Sequence, residues 1–319
     1  MAQWKAVVTD HGFKNIEQER RILEEAGCEL SVAQCKTQEE VIQAARGAHA
    51  LLVQWAPITA EVIESLDTCK IIVRYGIGVD NVALEAAKAK GITVCNVPDY
   101  CIDEVADHSV ALALSLGRQL TQIDRRLRDG VWKIVPDSPM PAFREMTFAT
   151  AGFGRIARAV LERARPFGFR LAAYDPFVEA SEFKNLGVQQ LSLDELFTQA
   201  DILSLHLPLT PQTQHLVNAE RLGTMKSHAV VVNTARGPLI DTVALAQALS
   251  EKQIAFAGLD VFDPEPLPDD HPLRGCDNAL LTSHVAWYSE SSVPKLQRMV
   301  AEEAVRGLRG EAVRNQVNR

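Results

Sequence analysis

At 319 residues, with 47% apolar and 23% charged side chains and no low-complexity tract, the chain has an ordinary folded composition and enough length for two compact domains. A formal net charge of -8 gives a field that repels nucleic-acid phosphates and anionic membrane surfaces, which excludes both as principal partners. No apolar run approaches the roughly 18 residues of a membrane span, and the six cysteines include no C-x-x-C pair and no zinc spacing.

The opening Met1-Ala2-Gln3-Trp4-Lys5 leads into a strand-like run without a signal-peptide profile, so the expected compartment is the reducing cytoplasm. Short apolar runs then alternate with helical patterns: a strand at Lys5–Thr9, a helix at Glu17–Ala26, a strand at Glu29–Ala33, a helix at Gln38–Arg46 and a strand at Ala50–Val53. This rhythm predicts parallel strands joined by crossover helices. Thr37 and Glu40 have the spacing of a capping box, and Gly27, Gly47 and Gly91 fall where helices should stop.

After the strand-like Ile92–Val94 two helices follow in succession, Asp103–Gly117 and Gln119–Gly130, which places a domain boundary near residues 98–103. The cluster Arg125, Arg126 and Arg128 reads as a solvated face or subunit contact. Beyond a proline-rich loop a second doubly wound unit begins near residue 147. Its strands are Thr147–Ala151, Arg170–Tyr174, Asp201–Leu205, Ala229–Asn233, Ala255–Leu259 and Ala279–Thr282, and its helices Arg155–Phe167, Ser192–Gln199 and Asp241–Ser250. Ser289–Gly310 reads as one long helix with no strand left to pair in that unit, which suits a return to the first domain.

Gly152-Phe153-Gly154-Arg155-Ile156-Ala157 follows the first strand of the second unit and opens a helix, the context a dinucleotide loop requires. Gly152 permits the turn, Gly154 lets a pyrophosphate approach the backbone, and Ala157 lets helix and strand pack closely. About 20 residues on, Asp175 ends the next strand, where a carboxylate accepts hydrogen bonds from ribose hydroxyls. No Arg or Lys adjoins it to neutralise a 2'-phosphate, so NAD is expected rather than NADP. An Asp that merely terminates the strand is the competing reading.

Hydride transfer to a 2-oxo acid needs a cation for the carboxylate and carbonyl and an acid for the forming alkoxide. Arg236, in the turn after Ala229–Asn233, suits the first role, although an Arg in a Gly-containing turn is also an ordinary surface residue. His206 and His284 both follow apolar runs, and position alone does not choose between them. Glu265, in Phe262-Asp263-Pro264-Glu265-Pro266, stands where a carboxylate orients an imidazole, or simply faces solvent. Asp269-Asp270-His271 reads as a solvated loop, so no metal is expected.

Over nearly its whole length the chain resembles the D-isomer-specific 2-hydroxyacid dehydrogenase family, and within it the branch of the C-terminal-binding-protein corepressors and their bacterial enzyme relatives. The motifs are Arg74-Tyr75-Gly76-Ile77-Gly78-Val79-Asp80-Asn81, Gly152–Ala157 with Asp175, Asn233-Thr234-Ala235-Arg236-Gly237, Asp260-Val261-Phe262-Asp263-Pro264-Glu265-Pro266 and His284-Val285-Ala286-Trp287-Tyr288-Ser289-Glu290. The resemblance implies an α/β architecture of two doubly wound parallel-sheet domains: a flavodoxin-like substrate domain of residues 1–99 plus 286–319, and a Rossmann NAD-binding domain of residues 100–285.

It further implies that Arg236 anchors the substrate, that His284 is the proton donor or acceptor, and that Glu265 pairs with it. Tyr75, Gly76, Ile77 and Gly78 would bind the carboxylate through backbone N–H groups, under a roof made by Trp287. Arg155, Ile156, His206, Pro208, Thr234, Ala235 and Asp260 would contact the cofactor, with Gly152, Gly154 and Asp175. A homodimer through the NAD domain is implied too, with Val105–Leu116 as the helix that gains a partner. Two positions depart from the pattern: Ser283 replaces the usual Pro before the histidine, and Thr150 puts a hydroxyl into an apolar strand.

The expected activity is NAD-dependent interconversion of a small 2-oxo and 2-hydroxy acid. The alternatives are an NAD(H)-sensing interaction protein with little turnover and a 3-phosphoglycerate dehydrogenase. Gln54, Trp55, Ile77, Trp132, Met140 and Trp287 suggest a partly apolar substrate pocket, or ordinary core.

Overall fold

The computed structural model describes residues 3–136 and 138–319. The chain divides into two compact units, Met1–Cys101 with Tyr288–Arg319, and Ile102–Trp287.

The first unit runs β1 (Trp4–Val8), α1 (Glu17–Glu25), β2 (Cys28–Val32), α2 (Gln38–Ala44), β3 (Ala50–Val53), α3 (Ala60–Ser65), β4 (Ile71–Arg74), α4 (Leu84–Ala89) and β5 (Thr93–Cys95). Its sheet is parallel, in the order β2-β1-β3-β4-β5, the flavodoxin-like arrangement. Every residue of β3 is buried, as expected where helices cover both faces of a parallel sheet. Thr37 and Glu40 form the capping box at the start of α2, and Gly27, Gly47 and Gly91 each take a left-handed φ.

The second unit opens with α5 (Ile102–Gly117) and α6 (Leu120–Arg128), then β6 (Thr147–Ala151), α7 (Arg155–Ala164), β7 (Arg170–Tyr174), α8 (Ala180–Asn185), β8 (Gln189–Gln190), α9 (Leu193–Gln199) and β9 (Ile202–Leu205). It continues with α10 (Ala219–Thr224), β10 (Val230–Asn233), α11 (Thr242–Ser250), β11 (Phe256–Leu259) and β12 (Ala279–Leu281). All its strands are parallel, in the order β12-β11-β10-β9-β6-β7-β8, so the order reverses between β6 and β9. Open α/β sheets bind ligands at such a reversal, outside the carboxyl ends of the strands.

Helix α5 packs inside its own unit, where Ala106, Val110, Leu112, Ala113 and Leu116 share a core with Phe148, Val160, Val230 and Phe256. Exposed apolar side chains cluster on α6 and the segment after it. The last helix, α12 (Ser292–Arg309), packs on α1, β3 and β4 of the first unit. Among the described residues no helix is long and apolar enough to cross a membrane.

Candidate active site

The glycine loop leaves β6 at the point of strand reversal. Gly152 has φ +98°, its N–H donates to the Tyr174 carbonyl at 2.7 Å, and a Cβ there would lie 2.6 Å from the His206 carbonyl oxygen. Backbone conformation and the neighbouring strand therefore both demand glycine. Gly154 is the N-cap of α7, with no side-chain cap, and a Cβ on it would meet nothing within 4 Å. The first-turn N–H groups beyond Gly154, where Arg155 and Ile156 stand, are thus open to an anion. Ala157 is fully buried where α7 meets the sheet.

Asp175 does two things that sequence reading set against each other. It closes the end of β7, because Oδ2 accepts the Phe153 N–H at 2.9 Å and Oδ1 the Phe177 N–H at 3.0 Å. Each oxygen keeps a lone pair for a hydroxyl, and no ion pair reaches Asp175 among the described residues. Thr150, buried in β6, satisfies its hydroxyl by donating to the Gly152 carbonyl at 2.8 Å, so this departure braces the loop. Across the reversal, Ser204 Oγ bonds His206 Nε2 at 2.8 Å, and burial lowers the His206 pKa to about 3, which keeps that ring neutral. Pro208 is exposed just beyond, and its carbonyl accepts the Thr213 hydroxyl. An open helix terminus, a tight glycine turn and an unneutralised carboxylate fit a dinucleotide with a free ribose 2'-hydroxyl.

Three turns on the far side of the reversal carry the reactive side chains. Asn233, at the end of β10, ties the Arg236 turn by accepting the Ala235 N–H and donating to the Arg236 carbonyl. Gly237 then lies so close to the next turn that a Cβ would sit 1.8 Å from the Phe262 carbonyl oxygen. This contact brings the Arg236 turn against the turn that carries Glu265. Thr234 has its hydroxyl bonded to Ser109 of α5 at 2.7 Å, while Ala235 is partly buried.

Glu265 Oε1 accepts the Phe262 N–H at 2.8 Å, and Oε2 lies 2.8 Å from His284 Nδ1. Burial pushes the Glu265 pKa up, but the His284 hydrogen bond and charge, the Phe262 amide and Arg236 outweigh it, so the net shift is downward. The ionised carboxylate selects the tautomer with hydrogen on Nδ1, which leaves Nε2 as the working nitrogen.

His284 adopts φ +55°, uncommon for a residue with a side chain, and Asp260 holds it there. The Asp260 carbonyl accepts the His284 N–H at 2.8 Å, while its buried carboxylate accepts the Val285 and Ala286 N–H groups and the Thr282 hydroxyl. Asp260, expected only as a cofactor contact, is therefore also the brace of the histidine turn. Trp287 Nε1 donates to the His284 carbonyl at 2.8 Å, and Ser283 is exposed.

In the first unit, the loop after β4 separates its donors from its acceptors. The Tyr75 and Gly76 N–H groups are spent on the Val53 and Arg74 carbonyls, which narrows the expected four-residue donor set. The Gly76 and Ile77 carbonyls are tied back by Val97 N–H and Asn96 Nδ2. The Ile77 and Gly78 N–H groups have no acceptor among the described residues, an arrangement that suits an anion.

Residues read as pocket or core, and the arginine cluster, take these positions. Gln54 is buried and its Oε1 accepts the Gly12 N–H. Trp132 is exposed beside Ile123, Leu127 and Ile134 on the α6 face. Of the arginine cluster, Arg125 pairs with Asp277 and Arg128 with Asp124. Among the described residues no three His, Cys, Asp or Glu side chains gather as metal ligands.

Residues 110–286 match the family model described as D-isomer specific 2-hydroxyacid dehydrogenase, NAD binding domain. A D-3-phosphoglycerate dehydrogenase of Methanocaldococcus jannaschii is 39% identical over 300 residues, 93% of this chain but only 57% of the relative, so the chain spans little more than half of that protein. A glyoxylate reductase of Korarchaeum cryptofilum is 39% identical over 265 residues, covering 82% of this chain and 80% of the relative. Among solved structures, the D-lactate dehydrogenase of Aquifex aeolicus complexed with NAD and lactic acid superposes with a TM-score of 0.87 at 26% identity, covering 96% of each chain.

Proposed function

Because the chain belongs to the D-isomer specific 2-hydroxyacid dehydrogenase family, we propose that it interconverts a small 2-oxo acid and its 2-hydroxy acid with NAD(H). The observation that carries this reading is the 2.8 Å pair of His284 Nδ1 and Glu265 Oε2, on a turn braced by Asp260 and next to the turn bearing Arg236. In reduction, Arg236 holds the substrate carboxylate and polarises the C2 carbonyl, and His284 Nε2 delivers the proton to the forming alkoxide. Glu265 stabilises the imidazolium before that transfer and fixes the ring. The nicotinamide, when bound, supplies or takes the hydride at C2. Arg155 and Ile156 at the open start of α7 hold the pyrophosphate and Asp175 the adenine ribose, while Thr234, Ala235, His206, Pro208 and Asp260 line the remaining dinucleotide path.

In the first unit, the Ile77 and Gly78 amides, which have no acceptor among the described residues, suit a substrate carboxylate, and in the second Trp287 suits the wall of a substrate pocket. Purified protein assayed by NADH absorbance against glyoxylate, hydroxypyruvate, phenylpyruvate and phosphohydroxypyruvate, with NADPH and His284→Ala as controls, tests the proposal. NADH oxidation that His284→Ala abolishes supports it, and preference for phosphohydroxypyruvate identifies the phosphoglycerate branch. Tight NADH binding without turnover refutes it in favour of a dinucleotide sensor.

The same reading includes a homodimer through the NAD-binding unit. Leu120, Leu127, Val131, Trp132, Ile134 and Val135 are each at least half exposed, an apolar surface of the kind that marks an interface. Beside them a groove of about 860 Å³ lies between α6, α11 and Pro272–Asn278. A shift from dimer to monomer by light scattering in Leu127→Asp with Trp132→Asp checks this, and an unchanged mass rejects it. Six cysteines without disulfides suit a reducing cytoplasm.

A further inference from the structure

Beneath the loop after β4 lies a buried polar junction that the proposed chemistry does not use. Glu19 on α1 is fully buried, Tyr75 is 1% exposed and Gln297 on α12 is 6% exposed. Tyr75 Oη donates to Glu19 Oε1 at 3.0 Å, and Gln297 Nε2 donates to Glu19 Oε2 at 3.0 Å and to the Asn15 carbonyl at 2.8 Å. Phe13 meets the Tyr75 ring edge-on at 5.2 Å between centroids.

This arrangement is an unfavourable way to build a core. Both neighbours act as donors, so the junction matches an ionised carboxylate, yet neither neighbour carries a positive charge. Burial raises the Glu19 pKa accordingly, against its hydrogen bonds to Tyr75 and Gln297. Apolar side chains of the same shape would fill the space without that desolvation penalty. What the junction adds is direction, because a charge-assisted hydrogen bond fixes one position for the Tyr75 hydroxyl. Tyr75 immediately precedes Gly76, and the backbone there is pinned at only a few points: the Tyr75 and Gly76 N–H groups on the Val53 and Arg74 carbonyls, and the Gly76 and Ile77 carbonyls on Val97 and Asn96. A shift of the Tyr75 ring therefore moves the Ile77 and Gly78 amides, which have no acceptor among the described residues.

We propose that Glu19, held by Gln297, is a positioning residue that seats Tyr75 and so sets the Ile77 and Gly78 amides at the spacing a substrate carboxylate needs. The inference rests on reading that loop as a carboxylate cradle.

The test compares Tyr75→Phe, Glu19→Leu, Glu19→Gln and Gly78→Pro by steady-state kinetics, with the 2-oxo acid the wild type turns over best, and by NADH fluorescence titration. Tyr75→Phe and Glu19→Leu should raise KM for the 2-oxo acid about tenfold, the equivalent of one lost hydrogen bond to a charged group, with kcat and NADH Kd unchanged. Glu19→Gln should stay near wild type, since its amide donates to Tyr75 Oη and accepts from Gln297. Tyr75→Phe removes a single hydroxyl, so it decides the question even if Glu19→Leu does not fold. If Gly78→Pro raises KM while Tyr75→Phe does not, the positioning role is wrong and the cradle stands. If Gly78→Pro leaves KM unchanged, the cradle reading itself fails. A fall in kcat and NADH affinity with unchanged KM would reduce the junction to general stability and overturn the proposal.

Discussion

Replacing Glu265 by Gln keeps the shape of the side chain and removes its charge, which isolates what the carboxylate does for His284. Hydrogen bonds to charged groups contribute roughly 1.5–3 kcal/mol. Here the two side chains are 34% and 36% exposed, so solvent screening favours the lower end. A loss of about 1.5 kcal/mol in the transition state corresponds to a fall of roughly tenfold in kcat. In the wild type the lowered Glu265 pKa means that the pair contributes fully above the ordinary carboxylate range and is lost only as pH falls through that lowered value. The assay is kcat for 2-oxo acid reduction at saturating NADH across the neutral range, with NADH Kd measured in parallel. A kcat within about twofold of wild type would refute the role assigned to the pair.

Three further outcomes follow from the geometry. Asp175→Ala removes both the proposed ribose acceptor and the brace on the Phe153 amide, so NADH Kd should rise at least about tenfold, with a narrower preference over NADPH in fluorescence titration. Gly237→Ala forces a Cβ to 1.8 Å from the Phe262 carbonyl, and thermal denaturation should show destabilisation of about 2 kcal/mol or more, as for other overpacked sites. Because burial raises the Glu19 pKa above its ordinary 4.5, stability is full below that value and declines as pH rises through the folded-state pKa. Glu19→Gln should thus gain Tm over wild type increasingly as pH rises, and a gain independent of pH would contradict the buried-carboxylate account.

Several elements are legible in the chain alone because each reports its own burial by a local period. Ala50–Val53, Thr147–Ala151 and Arg170–Tyr174 are read to the residue as β3, β6 and β7, since an apolar run bounded by turn residues has one sensible structure. The six-residue helices α3, α4, α8 and α10 are passed over, because six residues complete less than two helical turns, and β4, as short as β3, is passed over with them. The dinucleotide loop is legible for a related reason. Its glycines and Asp175 answer to short-range demands of turn, helix terminus and strand end, all within one βαβ unit.

What the sequence by itself determined, then, is the alternation of strand and helix, the cofactor loop, and by its motifs the family and the candidate residues Arg236, Glu265 and His284. Only the tertiary structure decided how those residues are held. Asp260 bracing the turn of His284, Gly237 against Phe262, Thr150 bonded to Gly152, α5 spent on its own core and Glu19 joined to Tyr75 and Gln297 all depend on which strands and helices become neighbours. The physical reason is range. Periodicity and capping act over a few residues, whereas a buried donor takes its acceptor from whatever chain packs beside it, and Glu19 and Gln297 are 278 positions apart.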